Sequence, residues 1–411
     1  MTKSKYGKII YRRRAMFSKK DISRNECMLR GPLRRQGYDW WWHSLTARNA
    51  RTGEEKPFFI EFFLCNPDLA EDSPTLGQLP RNKAAGKKPS YLMVNVGTWG
   101  KVHRQLHRFF AWKDIKVHFN APYSVEAADC YACETELRGS VDISEDEAAA
   151  HPEYMCDAGS MSWHLTVSKQ IPYNVGYGAS RFFRLINAFE MYWHAEGIKT
   201  YYEGEIIFNG EKYIVTPETC NGYADKNWGS DFTTPWVWLS SWDLTSKISG
   251  RKLLNSVFEI GGGRPKVFGV ALDRKLLGGF YYEGKCYEFN FSKFWTLSRT
   301  AFEAEETDDE ILWYVRQETF KAIMETRIRC FKEDMLLINY EAPNGTKRHQ
   351  RLWNGGNGTG RIKLYEKSLF RKPKLIDDVT ARNIGCEYGE YDTTEPYTKG
   401  RKKRIGTRGK K

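Results

Sequence analysis

The hydrophobic and polar positions of this chain alternate far more often than they follow a helical period. "IKTYYEGEIIFNGEKYIVTPE", residues 198–218, reads as two short runs rich in Tyr, Ile and Val, joined at Asn209-Gly210. Asn-Gly is the preferred pair for a type I′ turn, whose twist suits antiparallel strands, so a hairpin is predicted here. "KVFGVALD", "GGFYYEGKCYEFNFSKFW" and "DMLLINYEAPNGTKRHQRLW" repeat the theme, with Gly-Gly, Glu-Gly and Asn-Gly at the bends. Helix-period stretches are few and short: "SEDEAAAHPEY" and "ASRFFRLINAFEMYWH". The pattern predicts a mostly antiparallel all-β protein, closed or sandwiched so that its sheet edges are hidden.

A weak internal echo suggests two β halves. "YDWWWHSLTARNARTGEEKPFFIEFFL" (38–64) and "TPWVWLSSWDLTSKISGRKLLNSVFEI" (234–260) each open on alternating Trp, pass a polar turn region and return in an apolar strand. The pairs Trp40/Trp42 and Trp236/Trp238 stand 196 residues apart, and a pleat of period 2 points both rings of a pair to one face. Chance similarity of hairpins is the rival explanation. On the echo, the chain divides into a basic segment (1–36), a first β domain (37–190), a second β domain holding the candidate site (191–392) and a basic tail (393–411).

Composition narrows the setting. The 9 cysteines are odd in number and irregularly spaced, which suits free thiols in a reducing compartment better than a disulfide framework. The first thirty residues lack the apolar core of a signal peptide, and no stretch approaches the eighteen or so apolar residues of a membrane helix. A cytoplasmic location is expected. The net charge of +13 sits at the ends: residues 1–50 carry +10 and residues 361–411 carry +8, leaving −5 between them. Such runs, "YRRRAMFSKK" and "KGRKKRIGTRGKK", read as solvated termini or as peripheral contacts with an anionic membrane or nucleic acid. The aromatic clusters lie apart from them, unlike the interleaving expected of a dedicated nucleic-acid binder.

Aromatic residues make up 15% of the chain, and "NGYADKNWGSDFTTPWVWL" (221–239) gathers three Trp and a Tyr around two aspartates. That company points to acid chemistry. A carboxyl in a dry, ring-lined pocket stays protonated because desolvation disfavours its anion. It can then protonate an alkene, and facing rings stabilise the resulting cation through their quadrupoles. Asp225 is the candidate acid, with Tyr223 as hydrogen-bond partner or relay. Trp193, Trp228, Trp236 and Trp238 are candidate walls, and His194 and Glu196 could orient the acid or direct a nucleophile. Plainer roles compete. Asp225 could cap a turn in the Gly- and Asn-rich "GYADKNWG" or pair with Lys226, Asn227 and Gly229 read as turn residues, and His194 reads as a structural histidine. Trp40, Trp42 and His43 are assigned to the first-barrel core or domain interface.

Other constellations fall short. Cys130-x-x-Cys133 has no second pair to complete a zinc site. His103 and His107 lack the Glu of a zinc-protease helix, and "FEIGGGRP" lacks the ending of a phosphate loop. No cofactor or metal is expected.

"SMSWHLTVSKQ", "FEMYWHAEG", "YYEGEIIFNGEKYIV" and above all "GYADKNWGSDFTTPWVWL" resemble the tocopherol cyclase-like family, within the lipocalin-like group that also includes carotenoid hydratases. The resemblance extends over roughly residues 37–392, with "GYDWWWHS" where that family opens its first barrel. It implies two consecutive lipocalin-like β-barrels enclosing an apolar cavity and, in the members that are enzymes, an acid-initiated reaction at a carbon–carbon double bond. Two functions follow: a cofactor-independent cyclase, hydratase or isomerase of a hydrophobic prenyl- or polyene-like molecule, or a carrier or sensor of such a ligand.

Overall fold

Antiparallel strands make up most of the described residues. The computed structural model describes residues 17–173, 188–233, 235–263, 266–267, 270–271, 275–338, 340–345, 352–368 and 371–389. The basic run at 399–411, most of that at 11–20, and residues 179–187 of the predicted helix at 179–194 lie outside them.

The first sheet contains β1 (Tyr38–Asn49), β2 (Glu55–Cys65), β3 (Tyr91–Thr98), β4 (Arg104–Phe110), β5 (Ile115–His118) and β6 (Ser124–Ala127). It continues with β7 (Cys130–Cys133), β8 (Glu136–Ile143), β9 (Gly159–Tyr173), β10 (Met191–Phe208), β11 (Glu211–Val215) and β12 (Gly222–Gly229). Its order is β4-β3-β2-β1-β11-β10-β9-β8-β7-β6-β5, and β12 also pairs with both β1 and β10. The second sheet contains β13 (Trp236–Ser241), β14 (Asp243–Ser246), β15 (Val257–Gly263), β18 (Lys275–Tyr282), β19 (Lys285–Phe289), β20 (Arg299–Glu306) and β21 (Glu310–Glu318). β22 (Ala322–Phe331), β23 (Met335–Ile338), β24 (Leu352–Glu366) and β25 (Lys374–Gly389) complete it, and β16 (Lys266–Val267) and β17 (Val270–Ala271) form a separate ribbon. The sheets meet between Gly229 and Trp236, so β10–β12, which the sequence echo assigns to the second half, complete the first sheet instead. Each sheet curls around its own apolar core, giving the all-β, twin-barrel architecture expected from the sequence.

The predicted hairpin joins β10 and β11, with positive φ at Asn209 (50°) and Gly210 (79°), as a type I′ turn requires. "SEDEAAAHPEY" forms a helix at Glu145–Ala150, capped by the Ser144 hydroxyl. Within 179–194, residues 191–194 are strand. "GYADKNWG" is a strand too, not a turn, because β1 and β10 flank it and every residue is buried. Its glycines serve close approach: a Cβ on Gly222 would lie 2.4 Å from the Thr200 carbonyl oxygen, and one on Gly229 2.0 Å from that of Glu190. Asn227 spends its side chain on the Tyr38 hydroxyl, 2.7 Å away.

Residues 17–36, expected as part of a basic segment, pack onto the first sheet. Cys27, Leu29 and Leu33 join its core, and Asn25 donates to Glu134 at 3.1 Å. Among the described residues, no helix is long and apolar enough to cross a membrane.

Candidate functional site

A third apolar cluster draws on both sheets: Tyr38, Trp42, Phe59 and Phe63 from the first, Trp236, Trp238 and Val257 from the second, with Trp193, Tyr223 and Tyr340. The hollow at its centre is lined by Trp40, Trp42, Asp225, Phe232, Trp236, Trp238, Tyr340 and Glu387, among others. Both tryptophan pairs of the sequence echo therefore converge on one space. It holds about 470 Å³ between atoms, open water included, of which the room for the centre of a water molecule is about 30 Å³. That is enough for one or two waters.

Among the described residues, two carboxyls line this hollow, Asp225 and Glu387, and two more, Glu61 and Glu259, bond to its lining residues Tyr340 and Trp238. Asp225 accepts the Trp193 indole N–H at 2.7 Å and lies 2.9 Å from the Tyr223 hydroxyl, both through Oδ2. Its Oδ1 makes no hydrogen bond among the described residues, although the Trp40 indole lies near enough to favour the anion. Burial lifts the Asp225 carboxyl to about 7 against the pull of these donors. Glu387 accepts Trp236 Nε1 at 2.5 Å and the Asn354 amide, and burial lifts it to about 7. Glu61, bonded to Asn95 at 2.9 Å and the Tyr340 hydroxyl at 3.0 Å, is lifted to about 8. Glu259 accepts Trp238 Nε1 at 2.9 Å, and burial raises it well above the usual range. The groups acting most strongly on these four are indoles, phenols, amides, a hydroxyl and one another, with no cation among them. Three tryptophans thus serve twice: their rings keep water out and their N–H groups satisfy carboxyl oxygens that burial would otherwise leave unpaired.

Tyr223 links two of these acids. Its hydroxyl lies 2.9 Å from Asp225 Oδ2 and 3.0 Å from Glu259 Oε1. A phenol has one proton to give, so satisfying both contacts requires a proton on one carboxyl. The raised values of both acids agree with that.

Strand parity decides which expected residues meet here. On β12, Tyr223 and Asp225 face the shared cluster, while Ala224, Lys226 and Trp228 face away. On β10, Trp193 faces the cluster and Tyr192, His194 and Glu196 lie on the opposite face. The structure therefore brings together Asp225, Tyr223, Trp193, Trp236 and Trp238. Trp228 packs in the first-sheet core beneath the Lys226 ammonium, 4.9 Å from its ring. Glu196 pairs with Lys169. His194 is fully buried on that same side, where burial and nearby Lys226 hold its pKa well below the usual value, so it stays neutral. Lys226 pairs with Asp39, not with Asp225. Sequence reading missed Glu259, Glu387, Glu61, Phe232 and Tyr340, and gave Trp40 and Trp42 no part in the site. The available signal was a lone acid inside an apolar strand, as in "VFEIGGG" and "IGCEYG", where an unpaired charge is too costly to be incidental.

Two glycines let the rings approach. A Cβ on Gly385 would stand 2.2 Å from the Trp238 ring, and one on Gly261 2.6 Å from that of Trp193. Gly385→Ala is expected to push Trp238 off Glu259 and cost about 1–3 kcal/mol, read by denaturant unfolding together with a change in tryptophan fluorescence. An unchanged spectrum and stability would contradict this contact.

This is an antiparallel twin-barrel protein with a tryptophan-walled, carboxyl-bearing hollow between its sheets. The tocopherol cyclase-like family model matches residues 131–389, and the chain belongs to that family. Over 104 residues it is 35% identical to a rice protein (Oryza sativa subsp. japonica) named "Probable tocopherol cyclase, chloroplastic", a match covering 25% of this chain and 20% of that protein's length. Two solved structures are similar at lower identity. An AttH-designated protein of Nitrosomonas europaea is 11% identical, with 86% of this chain and 92% of that one covered at a TM-score of 0.45. Kievitone hydratase of Nectria haematococca is 11% identical, with 86% and 89% covered at 0.46.

Proposed function

We propose that the protein is a cofactor-independent cyclase, hydratase or isomerase that protonates a carbon–carbon double bond of a hydrophobic, prenyl- or polyene-like small molecule. The observation that carries this reading is an acid held near neutral pKa by burial, with no cation among its strongest neighbours, on the wall of an aromatic hollow. Asp225 supplies the proton and becomes a carboxylate that Trp193 and Tyr223 already stand ready to bond. Faces of Trp40, Trp42, Trp236 and Trp238 stabilise the cation, each by about 2 kcal/mol when desolvated. A hydroxyl of the substrate or a water then captures the cation, or it loses a proton elsewhere. The room present suits one or two waters, so a substrate must spread the rim, where Trp40, Met191 and Thr233 keep part of their surface exposed. The rice relative is named a probable tocopherol cyclase, so tocopherol-like prenyl compounds belong in the first assay beside polyenes.

Turnover in D₂O is expected to place one non-exchangeable deuterium on a product carbon, seen by mass spectrometry. Product formed without that deuterium would rule out protonation at carbon, and saturable binding with no product would make the protein a carrier. The working form of Asp225 is the acid, so kcat should fall as pH rises through about 7. A rate that climbs across that range would assign a base instead.

A further inference from the structure

A second cleft lies behind the Trp238 wall. It holds about 340 Å³ between atoms, open water included, and Ser44, Thr46, Asn221, Ser240, Ser241 and Asn383 line it beside apolar residues such as Leu45, Trp99 and Ile198. Trp238 borders both spaces, and Tyr223 borders the second. Ser240 is the cross-strand partner of Glu259, and its hydroxyl stands 3.3 Å from the Phe258 carbonyl oxygen. A line of exchangeable protons therefore runs from Glu259 through the Tyr223 hydroxyl to Asp225, with steps of 3.0 Å and 2.9 Å, and Ser240, beside Glu259 on the neighbouring strand, stands between it and the cleft. The Trp238 indole, 2.9 Å from Glu259 Oε1 and 3.1 Å from the Tyr223 oxygen, pins both acceptors in place.

We propose that the polar cleft is the proton port of the site and that Glu259 reloads Asp225 through Tyr223. The inference rests on the proposed role of Asp225 and adds the source of its proton. Asp225 gives its proton to the alkene carbon as the new C–H bond forms. Tyr223 passes its phenolic proton to Asp225 Oδ2 while its oxygen takes the proton of Glu259. Glu259 regains a proton from water in the cleft by way of the Ser240 hydroxyl, which turns from the Phe258 carbonyl to pass it on. The proton lost when the cation is captured or resolved balances the one taken in. Glu259 never touches the substrate in this scheme; it acts through Tyr223. The division of labour lets substrate enter on one side while protons arrive from the other. Glu387 and Glu61 act on Asp225 or are acted on by it, but both stand outside this line.

The test needs no substrate. Purified protein is mixed rapidly into D₂O and the carboxylic-acid C=O stretch of Asp225, identified by its loss in Asp225→Asn, is followed by time-resolved infrared spectroscopy. Glu259→Gln and Tyr223→Phe should each slow deuteration of that band by about tenfold or more. Tyr223→Phe keeps both acids, so it reads the relay even if Glu259→Gln folds poorly. Equal exchange rates in wild type and Tyr223→Phe would overturn the proposal, because the proton would then reach Asp225 from the hollow itself. That failure would leave the catalytic role of Asp225 intact, while turnover that survives Asp225→Asn would remove that role without altering exchange.

Discussion

Asp225→Asn is expected to lower turnover by about 10²–10⁴-fold or more while leaving ligand affinity nearly unchanged. Asparagine keeps the shape and can still accept from Trp193 and Tyr223 through its carbonyl oxygen, but it has no acid proton to give. The same variant should gain stability relative to wild type as pH rises. A carboxyl whose folded pKa lies above its unfolded value binds more protons when folded, so its contribution to stability is lost on going up in pH, here between 3.8 and about 7. The loss amounts to about 4 kcal/mol over that window, and the variant does not suffer it. Calorimetry of both proteins at acid and alkaline pH measures the difference. A variant that kept full turnover, or whose stability relative to wild type did not change with pH, would place the acid elsewhere.

The second large effect lies on the opposite face of the same strand. Lys226 and Asp39 form an ion pair with both side chains at 0% exposure. Met28 N–H donates to Asp39 at 2.5 Å, and the ammonium stands 4.7 Å from the Trp41 ring and 4.9 Å from that of Trp228. Burial raises the Asp39 carboxyl even beside the lysine. Removing one partner of such a pair strands a buried charge, so Lys226→Met should cost about 3–5 kcal/mol. Adding Asp39→Asn should recover much of that cost, because the amide oxygen still accepts from Met28 and no charge is left. Urea unfolding of the three variants reads the cycle, and a double variant no better than Lys226→Met would show that the pair matters through something other than charge.

Much of the architecture was legible because the period-2 pattern is a direct record of which face of a strand is buried. The Asn209-Gly210 turn is the clearest case, since two successive positive φ angles admit few other dipeptides. Asp225 stood out for a related reason: an acid among aromatic residues has few structural excuses. Parity, applied to the tryptophan pairs, was left unused among the candidate site residues. Asp225 and Trp228 are three apart and Trp193 and His194 adjacent, so in strands they point to opposite faces, and two of those four could not share a site. The strand itself was hard to see in "GYADKNWG", because its glycines and asparagine carry the signature of a turn while their cause is tertiary: carbonyls of neighbouring chain within 2.4 Å of where a Cβ would sit at Gly222 and Gly229. Glu259 and Glu387 lie 34 and 162 residues after Asp225, and only the meeting of the two sheets brings them beside it. For the same reason the hollow that holds the candidate residues draws its lining from both sheets.

The most direct measurement is a titration of the Asp225 carboxyl itself, by carbon NMR of protein labelled at aspartate, with Asp225→Asn to assign the signal. A midpoint near 7 is the result expected of a proton held in a dry, indole-lined wall. A midpoint near 3.8, the ordinary value for the side chain, would mean that water reaches the group and that the hollow cannot keep an acid ready to give its proton.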